Sequence, residues 1–105
     1  MVTEQEIQRD ILHYLKTHGF FAWKQHTQGI RVQGRGYIKN PSAGCPDILA
    51  VKKGQLYAIE VKKKGGRLSD DQVRWIATAR KYGVMCIVAY SLDEFIVLLN
   101  TPEFF

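Results

Sequence analysis

The fold of this chain is decided by one stretch, GCPDILAVKKGQLYAIEVK at residues 44–62. Two apolar segments in it flank the pair Lys53-Gly54, which suits a two-residue turn between antiparallel strands. We therefore predict strands at residues 47–52 and 55–63. Apolar side chains occupy both faces of this strand pair, a pattern typical of strands in the middle of a sheet that helices cover on both sides.

Helix and strand patterns continue on both sides of the hairpin. The predicted elements are a helix from Thr3 to Gly19, an aromatic strand at 20–23, a helix from Ser69 to about Tyr82, a strand at 84–90 and a short C-terminal helix at 95–99. Capping boxes are predicted for the pairs Thr3 and Glu6, Ser69 and Gln72, and Ser91 and Glu94. This αβββαβα order predicts one α/β domain over residues 1–105, with a central mixed sheet flanked by helices.

The segment at residues 27–45 has a different character, because glycines and basic residues replace the apolar periodicity. We predict a long, mobile, basic loop. Loops of this length are uncommon inside small domains, and those that occur usually serve function.

The charge balance of the chain favours a polyanionic partner. Fifteen Lys and Arg against ten Asp and Glu give a net charge of +5 and a pI near 9.4, which suits nucleic acid or an acidic membrane surface. A hydrophobic content of 46% excludes wholesale disorder. Cys45 and Cys86 lack the spacing of a zinc site or disulfide framework, so we predict reduced thiols. No signal peptide or membrane span is evident, and we expect a cytoplasmic protein.

The predicted hairpin brings two carboxylates face to face. Counting outward from the turn places Asp47 directly opposite Glu60, with Lys62 on the same face of the sheet. Facing carboxylates repel each other, and either a shared proton or a divalent cation such as Mg²⁺ or Mn²⁺ would relieve the repulsion. A structural alternative is a surface salt bridge between Glu60 and Lys62.

The segments GCPD at 44–47 and IEVK at 59–62 resemble the signature of the PD-(D/E)xK nucleases. The longer segment EVKKKGGRLSDDQ at 60–72 is similar to the VRR-NUC branch of that superfamily, the virus-type replication-repair nucleases. The segment TEQEIQ at 3–8 resembles the opening helix of the same family. The likeness runs from about Thr3 to about Tyr90 and implies a restriction-endonuclease-like fold with an αβββαβ core.

The resemblance also implies roles for individual residues. Asp47 and Glu60 match metal-binding carboxylates, and the backbone carbonyl of Val61 would complete the protein ligands of a Mg²⁺ or Mn²⁺ ion. Lys62 matches the catalytic lysine. Gln72 matches a glutamine near the site, although its capping position offers a purely structural role as well.

The family's opening helix contributes one further glutamate to the catalytic site. Glu4 shares the inward stripe of the predicted helix with Ile7 and Ile11, whereas Glu6 lies on another face, so we expect Glu4 to serve the site. The segment at 24–27 departs from the pattern of related nucleases, and this leaves His26 either as a phosphate contact or as a plain loop residue.

Basic residues near the predicted site could neutralise several phosphates and make binding strongly salt-dependent. The predicted DNA-binding residues are Lys24, His26, Arg31, Arg35, Lys39, Lys63, Lys64 and Arg67. Such contacts position DNA without reading its sequence.

These observations predict a Mg²⁺- or Mn²⁺-dependent, structure-selective DNA endonuclease of a bacterial or phage-infected cell. Relatives of this size resemble Holliday-junction resolvases, which would require a homodimer on branched or four-way DNA. Two alternatives remain open at this point: a monomeric nicking or flap nuclease, and a non-catalytic DNA-binding accessory module.

Overall fold

The computed structural model describes residues 2–25, 30–32, 36–38 and 43–101. The elements are α1 (Glu4–Thr17), β1 (Phe21–Lys24), β2 (Ile30–Val32), β3 (Gly36–Ile38), β4 (Ile48–Lys52), β5 (Gln55–Val61), α2 (Asp70–Lys81), β6 (Met85–Ala89) and α3 (Leu92–Leu99). No helix within these ranges is both long enough and apolar enough to span a membrane.

The main sheet has four strands in the order β1-β4-β5-β6. Strands β1, β4 and β5 are antiparallel neighbours, and β6 pairs with β5 in parallel, so the sheet is mixed as predicted. Strands β4 and β5, which form the predicted hairpin, lie in the middle of this sheet. This confirms the prediction, made from their two apolar faces, that they are central strands.

The turn between β4 and β5 fixes their register. Lys53 and Gly54 have φ angles of 51° and 78°, the left-handed backbone that a two-residue type I′ hairpin turn needs at both positions. The pairing runs from Lys52 with Gln55 to Ile48 with Ile59, in the predicted register. The strands are shorter than predicted, because β4 begins at Ile48 and β5 ends at Val61.

Helices cover both faces of the sheet. On one face, α1 and α3 enclose the larger core, which includes Ile11, Leu15, Ile48, Ile59 and Phe95. On the other face, α2 packs its Ile76 and Ala79 against Ala58 and Cys86. Cys45 and Cys86 are both buried free thiols, as predicted.

Two of the three predicted capping boxes are complete, those at Thr3 and at Ser69. The third is only half formed. The Ser91 side chain accepts from the backbone N–H of Glu94, but the Glu94 carboxylate accepts from the backbone N–H of Tyr90 and not from that of Ser91. Helix α3 also begins earlier than predicted, at Leu92.

The prediction of a plain loop at 27–45 is wrong in one respect. Within it, β2 and β3 form a separate two-stranded antiparallel sheet, in which Arg31 pairs with Tyr37. Three-residue strands are too short to show a clear alternation of apolar and polar residues, so the sequence pattern does not reveal them.

Candidate active site

The candidate site lies at the end of the β4–β5 hairpin opposite its turn. Asp47 lies one residue before β4, where the observed register, continued by one pair beyond Ile48 and Ile59, would bring it opposite Glu60. Strand alternation places Glu60 on the sheet face that α2 covers, whereas the Asp47 carboxylate reaches Gln8 of α1 at the end of the sheet. The Asp47 charge raises the pKa of Glu60, so the two carboxylates are close together. Lys62, two residues beyond Glu60, follows the same alternation.

Asp47 is held from two directions just before β4 begins. Its backbone carbonyl accepts from the backbone N–H of Gln25, which extends the pairing of β1 with β4. One oxygen of its carboxylate accepts a 2.8 Å hydrogen bond from the side-chain amide of Gln8 in α1. Burial raises the pKa of Asp47, while Lys24, Lys62 and the Gln8 hydrogen bond act in the opposite direction.

Gln8 is the residue that the sequence analysis missed. It follows Glu4 by one helical turn, so the two share a helix face, and this spacing was the available signal. The side chain is 7% exposed, and its carbonyl oxygen has no hydrogen-bond partner among the described residues. Among the described residues, the buried Gln8 amide therefore donates a hydrogen bond to Asp47 but accepts none.

Glu60 is the most buried ionisable residue of the site, with 2% of its surface exposed. Burial raises its pKa to about 7, and the neighbouring Asp47 carboxylate adds to the rise, while Lys62 lowers it. One carboxylate oxygen has no hydrogen-bond partner among the described residues. This burial rules out the alternative of a surface salt bridge between Glu60 and Lys62.

The structure brings Glu4, and not Glu6, toward the two carboxylates. A Glu4 carboxylate oxygen accepts a 3.2 Å hydrogen bond from the backbone N–H of Lys63, two residues after the end of β5. Its negative charge also raises the pKa of both Asp47 and Glu60. Glu6 instead completes the Thr3 capping box.

Gln72 performs the capping role that its position suggested. Its side-chain oxygen accepts a 2.8 Å hydrogen bond from the backbone N–H of Ser69. The start of α2 is nevertheless close to the GCPD segment, because Gly44, at φ 89°, leaves no room for a Cβ against the backbone of Asp71. A role for Gln72 in the chemistry stays a prediction.

The predicted DNA-binding residues divide into three groups. Lys24 is exposed, and its charge reaches Asp47. Lys63 and Lys64 are exposed and line a cleft of about 600 Å³ with Tyr90, and Arg67 is also exposed. Arg31 is described only in its backbone, and His26, Arg35 and Lys39 lie outside the described residues.

The donor set of the site consists of oxygen atoms. Within the described ranges, no three His, Cys, Asp or Glu side chains converge so that they could hold a metal ion. The available ligands are therefore the Asp47 and Glu60 carboxylates together with main-chain carbonyls such as that of Val61, which directly follows Glu60.

The model of the VRR-NUC domain family matches residues 2–93. The chain belongs to the VRR-NUC domain family. This membership makes the domain a nuclease, and it agrees with the resemblance that the sequence carries at 60–72. No curated protein matches the chain.

Two solved structures resemble this VRR-NUC domain. One, titled a VRR_NUC domain, superposes with a TM-score of 0.68 at 22% identity, over 92% of this chain and 94% of the other. It supports the α/β restriction-endonuclease-like fold. The second is Hjc of Archaeoglobus fulgidus, titled a Holliday junction resolvase from an archaeal hyperthermophile. It is 35% identical, with a TM-score of 0.52 over 83% of this chain and 67% of the other.

Proposed function

We propose that this nuclease is a divalent-metal-dependent endonuclease that cuts branched DNA, as a Holliday-junction resolvase acting as a homodimer. The observation that carries the proposal is the closeness of Asp47 and Glu60 at one end of the hairpin, where one buried Glu60 oxygen has no hydrogen-bond partner among the described residues. A buried polar atom of this kind is costly to leave unpaired, and a bound cation would satisfy it.

The residues present fit a hard divalent cation. A buried carboxylate with a raised pKa is stabilised in its charged form when a cation lies beside it. Oxygen ligands suit Mg²⁺ and Mn²⁺, and Asp47, Glu60 and the backbone carbonyl of Val61 would hold the ion. When bound, the ion polarises a phosphate oxygen and lowers the pKa of the attacking water.

Side chains of the protein would orient the ligands of the ion and stabilise the charge that develops in the reaction. Gln8 fixes the orientation of the Asp47 carboxylate through its 2.8 Å hydrogen bond. Lys62 supplies a positive charge on the same face, suited to stabilise negative charge that develops on the phosphate. Glu4 ties α1 to the end of the catalytic strand through the N–H of Lys63.

The choice of branched DNA rests on the 35% identity to Archaeoglobus fulgidus Hjc. A four-way junction offers two symmetry-related strands for cutting, and a two-fold homodimer presents two identical sites to them. The net charge of +5 suits a partner with a high density of phosphates.

The decisive experiment is a cleavage assay of the purified chain on four-way, flap, nicked and linear DNA. We expect paired cuts in the four-way junction with Mg²⁺ or Mn²⁺ and none in EDTA. Light scattering of the same sample should give a dimer. Cutting of nicked or flap DNA by a monomer would replace the resolvase by a nicking or flap nuclease. Binding without cutting in either metal would leave only an accessory module.

Three variants link the activity to the site. Asp47→Asn and Lys62→Ala should each lower the cleavage rate by about 10²-fold or more, while junction binding remains. Lys81→Ala is the matched control, because Lys81 is an exposed lysine in the last turn of α2. It should cut at the wild-type rate. Full activity of Asp47→Asn would contradict the assigned site.

A further inference from the structure

Two aromatic side chains stand together on the edge strand β1. The ring centroids of Phe21 and Trp23 are 5.2 Å apart, with 43° between the ring planes. Phe21 is 73% exposed. Contiguous exposed apolar surface of this kind often marks a binding site.

The pair lies on the face of β1 opposite Ala22, which packs in the core beneath α1. Phe21 pairs with Val51, and Trp23 pairs with Leu49, two residues along β4 from Asp47. Helix α2 packs over β5 and β6 on this face, and α1 packs against β1 on the opposite face. Within the described ranges, no helix therefore covers the aromatic pair.

The pair is connected to the catalytic end of the sheet. The indole N–H of Trp23 donates a 3.1 Å hydrogen bond to the side-chain oxygen of Gln25. The backbone N–H of Gln25 in turn donates to the carbonyl of Asp47. Residues two positions apart on a strand lie on the same face, about 7 Å from each other. Because Gln25 is level with Asp47, Trp23 lies one such interval along β1 from that level and Phe21 lies two intervals from it.

From this continuity we infer that Phe21 and Trp23 form a stacking platform for unpaired DNA bases beside the scissile phosphate. The inference rests on the proposed action on DNA. Every base has a π-face that an aromatic ring can cover regardless of sequence. Bases inside a duplex are already stacked on their neighbours, so the ligand is the unpaired segment of a branch, flap or junction.

A positive charge on the platform's side of the sheet suits this ligand. Lys62 follows Glu60, which strand alternation places on that face, and a phosphate held near its ammonium group would leave the adjoining bases within reach of Trp23 and Phe21. Lys24, the next residue after Trp23, points to the opposite face, where it lines a pocket with Gln8 and Ile48. Such a platform would favour DNA with unpaired bases over uniform duplex.

The test measures binding in EDTA, so that the DNA stays intact. Phe21→Ala is chosen because Phe21 is exposed and its loss should leave the fold unchanged. We expect its affinity for a flap DNA to fall by about 5- to 100-fold, the value of one base–aromatic stack. Replacing the unpaired bases of the flap by abasic sites should lower the affinity of the wild-type protein by at least the same factor. It should lower the affinity of Phe21→Ala less, because only Trp23 is then left to stack on a base. Binding to blunt duplex should be equal for both.

Two variants control the result. Phe21→Tyr keeps an aromatic ring and should retain wild-type affinity. Tyr82→Ala removes another exposed aromatic ring, 84% exposed after α2, and should bind flap DNA normally.

Equal affinity of Phe21→Ala and wild type for the normal flap would overturn the inference, even if the wild type cuts DNA. Failure of the proposed function shows separately, as absence of metal-dependent cleavage by the wild type. If Phe21→Ala loses self-association in light scattering but keeps its DNA affinity, the pair contacts a second copy of the chain, and the inference is wrong.

Discussion

The side-chain amide of Gln8 donates a hydrogen bond to the carboxylate of Asp47 across 39 positions of the chain. A carboxylate accepts at several lone pairs, and a fixed donor decides which of them remain free. Gln8 is itself buried in α1. The hairpin therefore determines the position of the Asp47 carboxylate, and the N-terminal helix determines its orientation. The site is therefore shared between two distant parts of the sequence.

Gln8→Ala tests this dependence. Without the amide, the Asp47 carboxylate loses a donor that lowers its pKa and fixes its rotamer. We expect Mn²⁺ affinity, measured by calorimetry without DNA, to fall about 10- to 100-fold, as is usual when a supporting hydrogen bond to a metal ligand is removed. Gln5→Ala, on an exposed position of the same helix, should bind Mn²⁺ normally. Unchanged affinity of Gln8→Ala would show that Asp47 needs no support from α1.

The burial of Glu60 predicts that stability in metal-free buffer decreases as the pH rises. The folded pKa is about 7, against an ordinary value of 4.5. Below 4.5 the carboxyl is protonated in both states and carries no penalty. Between pH 4.5 and pH 7 only the folded state keeps the proton, so the free energy of unfolding falls as the pH rises. Above pH 7 the free energy of unfolding has decreased by its full amount. The expected loss is on the order of 3 kcal/mol.

Urea unfolding of Glu60→Gln at pH 4 and pH 8 in EDTA measures this contribution. The variant has no carboxyl at position 60, so it should lose less stability than the wild type over this range. Adding Mn²⁺ at pH 8 should stabilise the wild type more than the variant, because a bound cation favours the charged carboxylate. Identical pH dependence of the two proteins would contradict the assigned burial of Glu60.

Gly44→Ala should be strongly destabilising. Gly44 has a φ of 89°, and a Cβ there would overlap the backbone oxygen of Asp71 at the start of α2. Gly83, at φ 87°, has open space around it and provides the matched control. Gly83→Ala should cost about 1–2 kcal/mol through backbone strain alone, and Gly44→Ala about 2 kcal/mol more through the steric overlap. Equal losses in urea unfolding would show that α2 can shift away at no cost.

Lys24→Ala should weaken binding to every DNA structure by a similar factor. The exposed Lys24 ammonium lies close enough to Asp47 to lower its pKa, a position suited to a phosphate next to the site. Removing one phosphate contact should reduce the slope of log affinity against log salt by about 1. Lys24→Arg should keep the slope, as should Lys81→Ala. A loss restricted to one DNA structure would contradict a simple phosphate contact.

The sequence was sufficient for the features that depend on local geometry. The register of β4 and β5, from Lys52 with Gln55 to Ile48 with Ile59, follows from the Lys53-Gly54 turn, because a two-residue turn leaves one register. The caps at Thr3 and Ser69 follow from residues three positions apart. In each case the partners are neighbours in the chain, and the backbone geometry leaves few alternatives.

The features that the sequence did not reveal depend on tertiary packing or on very short elements. Gln8 contacts Asp47 only after α1 has packed across the sheet. Its spacing from Glu4 indicates a shared helix face, but it does not identify Asp47 as the partner. Glu94 prefers the N–H of Tyr90 over the expected cap because β6 ends directly before α3 and presents that N–H. The sheet of β2 and β3 was hidden by its three-residue strands.

The type I′ turn at Lys53-Gly54 has a consequence for engineering. Because it alone sets which carboxylate faces which, residues added between β1 and β4 would not change the alignment of Asp47 with Glu60. That connection also carries Gly44 and the predicted DNA contacts Arg31, Arg35 and Lys39, so an insertion there would act on DNA binding or on the packing of α2 and not on the strand register. One residue added within β4 would instead turn Asp47 to the opposite face and separate it from its counterpart.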